Sequence, residues 1–326
     1  MINITRLVLQ LLMASALVLH AAQSPARPEP DPIDQERVLA SQGEPGTWLH
    51  GGRDYGQSHY SPLTQINRTT VTGLGYAWHL DLPMEHGYEA TPLMADGVLY
   101  GSGPQGIAFA VDAASGELLW QFDPDIDPQF MRKVCCGVVN RGVALAGDKL
   151  FVGALDGYLY ALDRHDGSVL WRVDTFTDRG RGYTITGAPY IAKDLVIIGN
   201  AGAEFDARGY FTAYDAETGE QRWRFFTVPD NAEGPWEHPE LAAAAPSWDP
   251  DSLWQVGLGG TVWDGMAFDP NLNLLYVGTG NAAPYPRKLR SPKGGDNLYL
   301  ASILAINPDS GRLVWHYQTT PGDNWD

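Results

Sequence analysis

One eleven-residue pattern occurs four times in this chain and constrains its fold more than any other feature. It reads Ala-x-Asp/Asn-x-x-Ser/Thr/Asp-Gly-x-x-x-Trp and runs from Ala110 to Trp120, Ala161 to Trp171, Ala213 to Trp223 and Ala305 to Trp315. The tryptophans are 51, 52 and 92 residues apart, so the last gap is nearly two periods and one unit is expected to have lost the pattern. A short apolar run stands ahead of each copy: VLYGSG, LFVGAL, VIIGNAG and LYVGTGN. The Gly inside the pattern marks a tight hairpin turn, because glycine tolerates positive φ. Helical periodicity of 3.6 residues is nearly absent. Short strands repeating every roughly 40–50 residues are the mark of propeller blades. The expected fold is therefore all-β: a β-propeller of four-stranded blades, with roughly five units from residue 47 onward. The Asp and Trp of the pattern are expected to be structural, with the indole packed between blades and polar turn groups tying blades together.

The chain has 326 residues and a net charge of −17. That charge argues against nucleic acid and against an anionic membrane surface, and favours a basic soluble partner. Residues 1–24 combine Arg6, an apolar run from Leu7 to Leu19, and small residues at Ala21, Ala22 and Ser24. This layout predicts a secretory signal peptide, with an apolar run too short to span a bilayer. No second apolar stretch resembles a transmembrane helix, so no integral membrane span is expected. Residues 25–46 contain Pro25, Pro28, Pro30 and Pro32 and read as a polar leader with little core of its own. Residues 47–326 then form the propeller region. The text stops just past a strand, with no closing strand or cap in sight, and is expected to be the first part of a longer propeller.

The two cysteines are adjacent, Cys135 and Cys136. Neighbouring Cα atoms lie about 3.8 Å apart, below the roughly 4.4 Å lower limit of ordinary disulfides. The pair is either two separate buried thiols or a strained disulfide with a purely local purpose, since it would constrain almost none of the unfolded chain. Export makes the disulfide chemically available.

Together, the repeat and the run Cys-Cys-Gly-Val-Val-Asn-Arg-Gly resemble the pyrroloquinoline quinone (PQQ)-dependent alcohol dehydrogenases. The resemblance covers about Trp48 to Asp326. It is closest to the quinohaemoprotein and related periplasmic members, through GGDNLYLASILAINPDSG and the ending TTPGDNWD. The repeat alone is shared with non-enzymatic propellers; the other motifs are more specific. The family fold is an eight-bladed propeller. The resemblance implies a vicinal disulfide between Cys135 and Cys136 over one face of the quinone, and Trp263 stacked on the other. It implies Arg141 at the reactive carbonyl oxygen, where a cation stabilises developing negative charge. Glu89 and Thr186 match positions on the cofactor rim, and Gly202 and Ala203 would offer backbone N–H groups to a cofactor carboxylate. Glu204 and Asn281 match metal ligands, a carboxylate and an amide oxygen that suit Ca²⁺, with a lanthanide as the alternative ion. Asp326 matches both the catalytic base and a further metal position, with Asp323 as runner-up for the base.

There are departures from the family pattern. Gly137 stands where an Asp is common, and Ala201 and Asp206 stand where glycine is common. The implied activity is oxidation of a small alcohol in the periplasm, with electrons leaving to a c-type cytochrome. No Cys-x-x-Cys-His haem motif is present in these residues. A non-catalytic propeller scaffold would keep the tryptophan repeats without needing the other motifs, and an inactive truncated remnant of the enzyme is the third reading.

Overall fold

The computed structural model describes residues 32–325 apart from 83, 85, 86, 135 and 136. The expected signal peptide, the first part of the leader, the Cys135–Cys136 pair and Asp326 therefore lie outside the described residues. The described chain builds four antiparallel sheets of four strands, each a meander in chain order. The first is β1 (Leu93–Ala95), β2 (Val98–Ser102), β3 (Ala108–Asp112) and β4 (Leu118–Phe122). The second is β5 (Ala144–Ala146), β6 (Lys149–Gly153), β7 (Tyr158–Asp163) and β8 (Val169–Asp174). The third is β9 (Tyr190–Ala192), β10 (Leu195–Gly199), β11 (Tyr210–Asp215) and β12 (Gln221–Phe226). The fourth is β13 (Met266–Asp269), β14 (Leu274–Gly278), β15 (Ser302–Asn307) and β16 (Arg312–Gln318). The short first strand β9 packs beside both β5 and β13, which puts first strands on the inner side of the blades.

The expectation of roughly five units is corrected to four complete blades among the described residues. The long gap between Trp223 and Trp315 holds no degenerate blade. Two irregular segments fill it: residues 227–265, with helix α2 (Pro239–Ala244), and residues 279–301, with helix α3 (Arg287–Arg290). The second segment interrupts the fourth blade between β14 and β15.

The eleven-residue pattern has a geometric reason at each position. Its Ala pairs directly across the ladder with its Trp in all four blades: Ala110 with Trp120, Ala161 with Trp171, Ala213 with Trp223 and Ala305 with Trp315. All four alanines are buried, and a bulge follows each one, which sharpens the local twist. The Asp or Asn closes its own turn: Asp112 Oδ1 accepts from the N–H groups of Ala114 and Ser115, and Asp215 and Asn307 repeat the arrangement. The Gly adopts φ of +78° at Gly116, +76° at Gly167, +75° at Gly219 and +67° at Gly311. A Cβ at Gly167 would lie 2.6 Å from the Trp120 ring, and one at Gly311 would lie 2.6 Å from the Trp223 ring. Glycine is thus required twice over, by its backbone and by the indole of the preceding blade. That indole donates its Nε1–H to the carbonyl three residues before the glycine, from Trp120 to Arg164 O at 3.0 Å and from Trp223 to Pro308 O at 2.7 Å.

Trp78, outside the pattern and on no strand, makes the same seam: it lies over Gly116 and donates to Ala113 O at 3.0 Å. Ion pairs from the turns join neighbouring blades as expected, Arg164 to Asp96 at 2.8 Å and Lys149 to Glu217 at 2.6 Å. The core between sheets is aliphatic and aromatic, with Tyr100, Leu150, Phe151, Ile197, Phe211 and Leu275 buried. Each such side chain contributes roughly 1.5–3 kcal/mol on burial. The described part of the leader packs on this core. Ile33 bridges Gly147, helix α1 (Gln35–Ala40) is N-capped by Asp34, and Ile33 and Val38 are buried.

Candidate cofactor site

In an antiparallel meander, the entry to the first strand and the exit from the second lie at the same edge of the blade. Arg141 precedes β5, Thr186 precedes β9, Glu204 follows β10, Trp263 precedes β13 and Asn281 follows β14. The topology therefore gathers these residues at one end of the propeller. Seven expected site residues line one cavity of about 180 Å³: Arg141, Thr186, Gly202, Ala203, Glu204, Trp263 and Asn281. Glu89 does not line it. Glu89 lies on an adjoining cavity of about 490 Å³ with His50, Asp264 and, again, Arg141 and Trp263. Cys135, Cys136 and Asp326 fall outside the described residues.

Arg141 is held from three sides. Its backbone N–H donates to Thr186 O at 3.0 Å, its Nη2 lies 3.5 Å from the Glu89 carboxylate, and its guanidinium sits 4.8 Å from the centroid of the Trp263 ring. The preceding Asn140 is buried and fully engaged. It accepts from Ser102 Oγ at 2.6 Å and from Gly142 N at 3.1 Å, and donates to Gly153 O at 2.8 Å. This clips the Arg141 loop to the first two blades. Trp263 keeps 41 % of its surface exposed, an unusual amount for an indole with so much of its surroundings buried. It presents a flat aromatic face to whatever fills the cavity.

The opposite rim supplies donors. Among the described residues, no acceptor takes the backbone N–H of Gly202, Ala203 or Glu204. Three successive free N–H groups make a site for an anionic group. Gly202 has φ of +100°, and a Cβ there would lie 2.1 Å from Gly182 O. Its small size thus serves backbone packing, and not only close approach of a ligand. Asp206 holds φ of +57° without a glycine, so the departure at that position leaves a left-handed turn in place. Thr261, 1 % exposed, also lines the cavity, and its Oγ1 is buried with no partner among the described residues. A buried hydroxyl without a partner is costly unless a ligand supplies one.

The two expected oxygen donors, Glu204 and Asn281, line the same cavity. Glu204 Oε1 accepts from Tyr285 Oη at 3.4 Å. Asn281 donates its amide N–H to Ala282 O at 3.2 Å, which leaves the amide oxygen as its ligating atom. Asn281 also lines a neighbouring cavity of about 350 Å³ with Asp323 and Trp325. Among the described residues no cluster of three or more His, Cys, Asp or Glu is found. One carboxylate and one amide oxygen are an incomplete shell for a hard cation of six to eight oxygen ligands, and fit a metal that takes further ligands from the cofactor. The whole set fits a flat polyanionic quinone with a hard cation: an open indole face, a guanidinium, free N–H groups and an orphaned hydroxyl around a slot, with two oxygen donors at its edge.

Thr184 and Thr261 were missed by the sequence reading. Each stands two residues before an expected site residue, Thr186 and Trp263, and in extended chain residues two apart share a side. That spacing was the available signal. Arg290 was also missed. It is fully buried, and burial lowers its pKa to about 10.

Residues 48–326 match the model of the PQQ glucose/ethanol/alcohol dehydrogenase β-propeller domain. The quinohemoprotein alcohol dehydrogenase ADH IIB of Pseudomonas putida is 54% identical over 294 residues, which is 90% of this chain and 42% of that protein. The solved quinohemoprotein alcohol dehydrogenase ADHIIG of Pseudomonas putida HK5 superposes with a TM-score of 0.89 at 49% identity, covering 92% of this chain and 44% of that one. A solved europium-containing methanol dehydrogenase superposes with a TM-score of 0.80 at 36% identity, covering 89% of this chain and 52% of that one. The chain thus spans less than half the length of the two quinohemoprotein relatives. Its fold and its repeat agree with the match: the chain belongs to the PQQ-dependent alcohol dehydrogenase family.

Proposed function

We propose that this chain forms the cofactor-binding part of a periplasmic PQQ-dependent alcohol dehydrogenase that oxidises a small alcohol to an aldehyde and passes electrons to a c-type cytochrome. The observation that carries the reading is the single cavity into which seven separately expected residues converge, with an orphaned hydroxyl and free N–H groups on its wall. PQQ, when bound, supplies the two-electron chemistry by accepting hydride from the alcohol carbon.

The protein's own residues do the rest. Trp263 would support one face of the ring, and the Cys135–Cys136 pair, as a vicinal disulfide, would cover the other. Gly202 and Ala203 would donate N–H groups to a cofactor carboxylate, while Thr186 and Glu89 would orient the rim and hold the Arg141 side chain. Arg141 places positive charge where a carbonyl oxygen becomes more negative. Glu204, Asn281 and Asp326 would hold the metal, Ca²⁺ in this reading, as a Lewis acid. Asp326 takes the hydroxyl proton of the alcohol as general base.

The reading is tested by reconstituting the protein, in its full-length form, with PQQ and Ca²⁺ and following dye reduction with short primary alcohols. Turnover that requires both additions and falls at least about a hundredfold in D326N is expected. Absence of turnover with every alcohol would refute the reading.

A further inference from the structure

Arg290 has no role in the chemistry above, yet its guanidinium donates four hydrogen bonds. It is fully buried on α3, and among the described residues its guanidinium makes no hydrogen bond to a carboxylate oxygen. It spends its donors on neutral oxygens instead. Nε donates to Asn297 Oδ1 at 3.1 Å, Nη1 to Pro284 O at 3.2 Å and to Tyr285 O, and Nη2 to Asp323 O. Burying a charge is expensive; the Asp323 carboxylate offsets the cost only through space, and a hydrophobic side chain of similar volume would fill the position at lower cost. What the guanidinium supplies is a planar fork that fixes several carbonyls at once.

The groups it joins are informative. Pro284 and Tyr285 end the short loop that begins at Asn281, and Tyr285 also reaches Glu204 Oε1. Asp323 lies on the segment that runs to Trp325 and is followed in sequence by Asp326. The 279–301 segment and the chain at 322–325 are also joined by bonds from Arg287 N to Asn324 Oδ1 at 2.8 Å and from Gly322 N to Asp296 O at 2.9 Å. Between them lies the cavity of about 350 Å³ lined by Asn281, Asp323 and Trp325.

We infer that Arg290 is a positioning residue for the metal end of the site: it locks the loop carrying Asn281 to residues 322–325, and so fixes the amide ligand in place. This rests on the functional reading above. It explains why an irregular insertion interrupts the fourth blade at this point, because the insertion carries both the ligand and its clamp.

The test is calorimetric and uses the whole chain, titrated first with PQQ alone and then, once saturated, with Ca²⁺. R290K keeps the charge but replaces the fork by a single donor centre. The expected result is a loss of Ca²⁺ affinity of about ten- to a hundredfold, the usual effect of removing a group that orients a metal ligand. PQQ affinity without metal should change by less than about twofold, since the Arg141, Gly202 and Trp263 walls do not touch Arg290. Unchanged Ca²⁺ affinity overturns the assignment. A parallel loss of Ca²⁺ and PQQ affinity also overturns it, because that is the mark of a merely structural role. If R290K does not fold, N297D keeps an oxygen acceptor for Nε while N297A removes it, both losing the amide's bonds to Ser247 O and Ser291 Oγ, and the selective loss of Ca²⁺ affinity should be about fivefold greater in N297A, the equivalent of one hydrogen bond. A wild-type chain that takes up no PQQ defeats the reading of the site itself, and is separable from any result on Arg290.

Discussion

The outer seams of the propeller and its axial loops are built by opposite means. Each seam is a local device copied from blade to blade, an indole laid over a turn glycine, bonded at Trp78, Trp120 and Trp223 to the carbonyl three residues before that glycine. The site is assembled once, from segments that resemble neither each other nor the repeat. A seam therefore carries stability with no assigned chemistry, and the axial loops hold the residues to which the chemistry is assigned. The contrast shows within one residue type. Trp120 keeps 8 % of its surface exposed, whereas Trp263 keeps 41 %. The first is covered by protein, and the second is assigned to a ligand.

Substitutions at the two regions should separate these properties. The largest stability effect is expected for G167V, which combines positive φ with a clash on Trp120 and should cost about 3 kcal/mol or more in denaturant titration. Quinone affinity of the folded fraction should be unchanged. A loss of binding with stability intact would break the division between the regions.

The next effect concerns the axial end as a pH-sensitive place. His50 is buried beside Tyr55 and Tyr190, and desolvation lowers its pKa to about 4. The unfolded chain takes up a proton near pH 6.5 that the folded chain refuses until about pH 4, so stability falls as pH drops through this window. Between pH 7 and 4.5, His50 should account for about 2.5 kcal/mol of lost stability, and H50F should lack that part of the pH dependence.

W263A is expected to weaken PQQ binding by about 2 kcal/mol, roughly thirtyfold, with little change in unfolding midpoint. The smallest effect compares two seams. Trp171 stacks over Gly219, yet its Nε1 is buried without a partner among the described residues. W120F removes a bonded N–H and W171F removes an unbonded one, so W120F should cost about 1 kcal/mol more. Equal costs would mean that ring packing alone makes the seam.

The repeat made the seams legible in the sequence, because Ala, Asp, Gly and Trp each answer a geometric demand that recurs at fixed spacing. The innermost strands were less legible: β1, β5 and β9 have three residues each, too few to show alternation. Trp78 was hidden because it docks without a strand of its own. The unit count failed at Trp223–Trp315 because a spacing does not reveal whether it holds a worn blade or two irregular segments. Of the site, single residues were legible only through family resemblance. Thr184, Thr261 and Arg290 escaped because their significance depends on what they face, and a threonine in a loop has no periodicity to betray it.

The central claim is that the converging cavity is a quinone site. Titration of this chain with PQQ in the presence of Ca²⁺, followed by quenching of tryptophan fluorescence, tests it most directly. The account predicts saturable one-to-one binding whose quenching is largely lost in W263F while G219A, a seam substitution beneath Trp171, leaves affinity unchanged. Quenching that persists undiminished in W263F, or no saturable binding at all, would contradict it.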